Sequence, residues 1–152
     1  MAAEGGSAPD VLAELAWLTG EFFRAVSFGE GERPHYDRIH DLFVEGGRLI
    51  KNSAAAPEIC TVDQYITPRQ EMVDAGVLTC FEEVERAEIT EVFGNVAHRL
   101  STYDKRGIQN GVAFEGCGVI STQLIRTPGG WRMTCMAWDD ERPGLAIPDR
   151  YR

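Results

Sequence analysis

The chain has 152 residues, 43% of them apolar, and carries 24 acidic against 15 basic side chains for a net charge of −9. A chain of this length buries about two thirds of its unfolded surface, so it forms one domain without metal or disulfide staples. The acidity argues against nucleic acid, which is gripped by Lys/Arg contacts to phosphate, and against anionic membrane surfaces.

Residues Met1 to Asp10 lack the basic and apolar regions of a secretory signal, and no apolar run is long enough to span a membrane. Cys60, Cys80, Cys117 and Cys135 are far apart, with no CxxC and no zinc spacing. A reduced, cytoplasmic protein is the simplest account.

Residues 1–7 read as a flexible tail and 8–152 as the domain. Ser7 and Asp10 have the spacing of a capping box. The first helix then runs to about Phe28, with Val11, Leu12, Leu15, Leu18, Phe22 and Val26 on one stripe. Gly29 to Gly31 stops it. Pro34 suits the first turn of a second helix, in which Tyr36, Ile39, His40 and Phe43 share a face. Gly46-Gly47 ends that helix, Arg48 to Lys51 is a short strand, and Asn52 to Pro57 is a loop. Two capping signatures follow, Thr61 to Gln64 and Thr67 to Gln70. Pro68 at the start of the second favours a break between two short turns over one long helix. Gly76 is placed to end the helical part.

From Val77 the apolar period changes to two. Strands are predicted near 77–93, 96–104, 112–126 and 131–139, with tight turns at Gly94-Asn95 and Gly129-Gly130 and a longer loop from Gly107 to Gly111. The two long segments need bulges, and Gly116 and Gly118 are bend sites. Helices followed by a meander make an α+β pattern.

The stretches EITEVFGNVAHRLSTYDKRG (from Glu88), GGWRMTCMAWDDERP (from Gly129) and IPDRY (from Ile147) resemble the nuclear transport factor 2-like superfamily, also called SnoaL-like or ketosteroid-isomerase-like. They look most like a bacterial subgroup without a settled function, and the likeness spans roughly residues 10–151. It implies a cystatin-like cone, in which a strongly bent antiparallel sheet wraps around a long N-terminal helix and leaves a pocket at its mouth. It also implies a homodimer paired through the convex sheet face. Members include isomerases, dehydratases, polyketide cyclases and accessory domains without catalysis, so the likeness implies a fold more than an activity. The isomerases' aspartate base would stand at the end of the strand after helix two. Here that strand reads Arg48 to Asn52 and has no carboxylate. Glu115 and Asp139 are candidates for a second acid, and neither role is carried over.

Tyr36 and His40 are the most suggestive pair, since a phenol beside an imidazole supplies acid and base near neutral pH. The plainer reading makes both core residues with satisfied polar tips. His98 lies mid-strand; facing inward it would meet His40 as in a dehydratase-type site, and facing outward it would belong to a dimer interface. Trp17, Phe43, Tyr103, Trp138 and Asp139 are candidate pocket-lining residues. The Glu82-Glu83, Glu85 and Glu88 run reads as a wet strand face, and Asp139 to Arg142 as a solvated strand end. No EF-hand, HExxH, phosphate loop or GxSxG occurs, and His35, His40 and His98 are poorly spaced for a metal. No metal and no cofactor is therefore expected. Three functions stay open: a non-catalytic small-molecule-binding or structural homodimer, a cofactor-independent isomerase or lyase acting on a small apolar substrate, and a protein-interaction module that docks a partner on the sheet face or mouth.

Overall fold

The computed structural model describes residues 6–152; of the expected tail, residues 1–5 lie outside the described residues. Helix α1 spans Ala8–Val26, starting where the Ser7 side chain accepts from the Asp10 N–H. Its stripe of Val11, Leu15, Leu18, Phe22 and Val26 is buried against the sheet. The helix stops at Val26 rather than Phe28, because Phe28 leaves it to bridge Phe81 through two backbone hydrogen bonds of 2.7 and 3.0 Å.

The expected second helix is a 3-10 helix, Tyr36–Leu42, and strand β1 follows at once over Phe43–Lys51. Gly46 and Gly47 therefore lie within a strand instead of ending a helix. Gly46 takes φ 81° at an irregularity in the pairing, a conformation open to a residue without a Cβ. A short β2 (Glu58–Cys60), not anticipated from the sequence, pairs antiparallel with β1.

Helix α2 is continuous over Val62–Asp74, with Pro68 inside it. The predicted break does not occur. The Thr61–Gln64 capping box is complete, with hydrogen bonds of 3.0 and 3.1 Å, and the apolar inner face of the helix holds it against the core.

Strands β3 (Leu78–Phe93), β4 (Val96–Gln109), β5 (Val112–Thr127) and β6 (Gly130–Asp140) form the meander. The loop expected from Gly107 to Gly111 is instead strand followed by a tight turn at Asn110-Gly111, where φ is 52° and 74°, both of the sign a two-residue hairpin of primed type requires. The sheet order is β2-β1-β6-β5-β4-β3. The α+β class is the one expected, but one pairing departs from an all-antiparallel sheet: β1 joins β6 in parallel.

A β-bulge at Arg86 shifts the β3–β4 register between Glu85 and Ala87. A bulge adds one residue to one strand and so exchanges the face on which each later side chain falls. On one side of it Thr90 and Glu88 stand opposite Arg99 and Ser101; on the other Glu85, Glu83 and Phe81 stand opposite Tyr103, Lys105 and Gly107. Arg99 lies in this layer, its side chain 7% exposed, and its guanidinium grips Glu85 twice, at 2.6 and 3.1 Å. Ser101 donates to the same carboxylate at 2.6 Å.

Among the described residues no helix is long and apolar enough to cross a membrane. The four cysteines are free thiols.

Candidate functional site

A cavity of about 310 Å³ opens between the C-terminal half of α1, the 3-10 helix, α2 and the inner face of the sheet. Phe22 and Val26 come from α1, Tyr36 from the 3-10 helix, and Tyr65, Arg69 and Met72 from α2. The sheet contributes Lys51, Phe81, Glu83, Tyr103, Lys105, Phe114, Met136 and Trp138. Apolar and aromatic side chains thus meet several converging polar groups, a combination that suits a small-molecule site.

Glu83 is the carboxylate of this cavity. Burial pushes its pKa up to about 7; Asp140 adds to the rise, while Lys105 and Arg69 oppose it. Its cross-strand neighbour Lys105 does not pair with it, but holds both oxygens of Asp140 at 2.8 and 2.9 Å. The Tyr103 hydroxyl also donates to Asp140, and to the Asp139 carbonyl at 3.3 Å. Burial and the hydrogen bond to Asp140 keep the Tyr103 phenol protonated well above its ordinary range. Gly118 makes this possible, since a Cβ there would strike the Tyr103 hydroxyl and the Asp139 carbonyl. The β4–β5 register runs through Gly116 and Gly118 without a bulge, and Gly118 provides clearance.

Tyr36 and Tyr65 complete the polar set. Burial raises the pKa of both phenols, so at neutral pH they are donors and not bases. The Tyr36 hydroxyl has no hydrogen-bond partner among the described residues, although the residue is only 2% exposed. The Arg69 guanidinium lies 3.7 Å from the centre of the Tyr65 ring and donates to the Tyr65 carbonyl at 2.9 Å.

Of the candidate residues, Tyr36, Tyr103 and Trp138 line the cavity. His40 does not. Three residues per turn in a 3-10 helix put Tyr36, Ile39 and Leu42 on the buried face. His40 therefore turns toward solvent, half exposed and 3.2 Å from Asp63. His98 faces outward on β4, 60% exposed and 3.2 Å from Glu91, because its neighbours Ala97 and Arg99 take the inner face. The expected meeting of Tyr36, His40 and His98 does not occur.

Trp17 lies off the α1 stripe and is 55% exposed. Phe43 is buried in the core outside the cavity, its ring beneath Gly47. Asp139 points away from the cavity and pairs with Arg142, which lowers its pKa. Its neighbour Asp140 is the inward carboxylate, sharing a face with Trp138 two residues before it. Glu83, Lys105, Arg69 and Tyr65 were missed. The signal for Lys105 was its place two residues after Tyr103 on one strand face. That for Arg69 and Tyr65 was their i, i+4 spacing on α2. Among the described residues no three metal-binding side chains cluster.

No family model matches the sequence, and no curated protein matches it. Solved structures do. A nuclear transport factor 2-like superfamily protein from Salmonella enterica is similar over 93% of this chain and 99% of its own, with a TM-score of 0.73 and 14% identity. The fold is nuclear transport factor 2-like. A candidate scytalone dehydratase from Novosphingobium aromaticivorans shares it over 86% of this chain and 84% of its own, with a TM-score of 0.66 and 10% identity. So does a candidate calcium/calmodulin-dependent kinase II association domain from Exiguobacterium sibiricum, over 93% and 99%, with a TM-score of 0.68 and 14% identity. At such identities the nuclear transport factor 2-like likeness is one of fold alone.

Proposed function

We propose that the cavity binds a small, mainly apolar molecule with a polar handle and that Glu83 moves a proton on it. This makes the protein a cofactor-independent isomerase or lyase. The observation that carries the reading is Glu83 itself, a carboxyl group held near pKa 7 in a cavity it shares with aromatic side chains. A group so poised is half ionised at neutral pH and can both take and return a proton.

In the proposed step the Glu83 carboxylate takes a proton from a carbon next to a carbonyl. The C–H bond breaks, an O–H bond forms on Glu83, and the electron pair passes to the carbonyl oxygen. The Tyr36 hydroxyl, with Tyr65 behind it, donates to that enolate oxygen. Returning the proton at another carbon completes an isomerisation; expelling a β-hydroxyl as water, with that proton, completes an elimination. His40 and His98 have no place in this step, because neither lines the cavity. One of the structural neighbours is named as a dehydratase, in keeping with the second outcome.

The test uses 2-tetralone in deuterated buffer, with loss of its α-protons followed by NMR. The wild-type protein should exchange them above the buffer rate, increasingly as pH rises through about 7. Glu83→Gln should fall to the buffer rate. Wild-type exchange at the buffer rate, or a Glu83→Gln variant as fast as wild type, removes the catalytic reading and favours the non-catalytic ligand-binding protein.

The same reading pairs two copies through the outer sheet face. There Ile89, Leu100, Ser121 and Ala137 form a row of apolar and small side chains across four strands. Ile89 is 40% exposed in the single chain. One neighbour's name describes an association domain, in keeping with such pairing.

A further inference from the structure

The charges on the cavity wall do not match those of the molecule. The protein is acidic overall, yet two cations on the wall, Arg69 and Lys51, have no carboxylate partner among the described residues. Lys105 is already matched by Asp140. Arg69 is half-buried and held flat against Tyr65, and uses one guanidinium nitrogen on the Tyr65 carbonyl. The Tyr65 side chain takes a further hydrogen bond from it, but no carboxylate meets this planar, pre-oriented fork. Partly burying a cation without a counter-charge is costly, so such a fork points to an anion that arrives from outside.

We infer that the ligand of this cavity is a small monocarboxylate with a planar apolar body, its carboxylate held by Arg69 with Lys51 beside it. The inference rests on the cavity being a ligand site. A carboxylate fits the geometry because its two oxygens match the guanidinium fork. The body has Trp138, Phe22 and Met136 to lie against. A dianion is disfavoured, because Glu83 shares the space. The groups facing Glu83 are Arg69 and Tyr65 from α2, Tyr36 from the 3-10 helix, Tyr103 and Lys105 from β4, and Asp140 from β6, with Lys51 of β1 on the same wall. Of these only Asp140 is acidic, and Lys105 neutralises it. Carboxylate binding should therefore favour protonated Glu83, and weaken as pH rises through neutrality.

The experiment compares 2-naphthoate with 2-naphthamide, which share a ring system and differ in charge, by calorimetric titration of the whole protein at pH 6 and pH 8. Wild type should bind the carboxylate roughly tenfold or more tighter than the amide at pH 6, since hydrogen bonds to charged groups are the strong ones. The preference should shrink at pH 8. Arg69→Gln should bring the two ligands within about threefold of each other, with the amide's affinity little changed. Lys51→Gln, at the end of β1 and away from the Tyr65 stack, should lower the same preference without disturbing α2. Equal affinity of the two ligands for wild type, or an undiminished preference in both variants, overturns the inference while the cavity stands as a ligand site. Binding of neither compound overturns both.

Discussion

Ionising Glu83 in its aromatic surroundings costs the folded chain free energy that the unfolded chain does not pay. Its pKa rises from an ordinary 4.5 to about 7 on folding. Below pH 4.5 the carboxyl is protonated in both states. Between 4.5 and about 7 only the unfolded chain releases the proton, so this residue's contribution is lost as pH rises and is gone above about 7. A difference of this size is worth about 3 kcal/mol. Glu83→Gln should therefore match wild type in urea unfolding at pH 4 and exceed it by about 2–3 kcal/mol at pH 8. A parallel pH dependence in both proteins would show that Glu83 is hydrated. The residue was hidden in the sequence because it sits in an acidic run that reads as solvated. Its inward aim depends on the bulge at Arg86, and no Gly or Pro marks that bulge. Tyr103 and Trp138 were legible as pocket residues because strand alternation holds across their own segments.

At the scale of elements, β3 and β4 are tied together beneath α1 by a buried ion pair. Arg99 is almost fully enclosed, and Glu85 and Thr90 supply its acceptors at 2.6 to 3.1 Å, while Ser101 donates to Glu85. Glu88 stands farther off, at 3.3 Å and half exposed. Such a pair is weak evidence for net stability, but removing one partner strands the other charge. Glu85→Ala should lower unfolding free energy by roughly 3–5 kcal/mol. Replacing both residues together with apolar ones should recover much of that, as read in a double-mutant cycle by denaturant unfolding. Single losses below about 0.5 kcal/mol would mean that water already reaches the pair. The long meander and α1 were readable because long stretches of each keep one period, broken in β3 only at its bulges. The short pieces were not. Seven residues in a 3-10 helix offer the same apolar spacing as an α-helix to within one position. That single position decides whether His40 meets the cavity or the solvent. Similarly, Pro68 is a breaker by its own chemistry, and tertiary packing overrides it.

For the whole molecule, the row from Ile89 to Ala137 on the outer face is the surface on which the proposed homodimer depends. Light scattering during gel filtration should return twice the chain mass at micromolar concentration. Leu100→Glu, which places a charge in the middle of that row, should return a single chain mass with the helical and strand content unchanged. A single mass for the unaltered protein would remove the proposed pairing and leave the cavity untouched. The resemblance carried the architecture because it rests on the turns and strands of the C-terminal meander, which makes up most of the sheet. It did not carry the parallel β1–β6 contact, since strand patterns record which face is apolar and not the direction of the neighbour.

That parallel contact bears on how the chain acquires its shape. β6 sits between β1 and β5, so β1, the earliest strand, finds its main partner only in the last. Until β6 has been synthesised, β1 has only the three-residue β2 to pair with, and a two-stranded unit of that size is marginal in water. The hairpins of β3, β4 and β5 can form while the ribosome is still at work, whereas the wall bearing Lys51 and Trp138 cannot. Pairings of such long sequence separation are slow to form. The binding cavity should thus be among the last features to appear in folding, and a nascent chain stalled before Trp131 should lack the wall that Trp138 and its partner strand β1 complete.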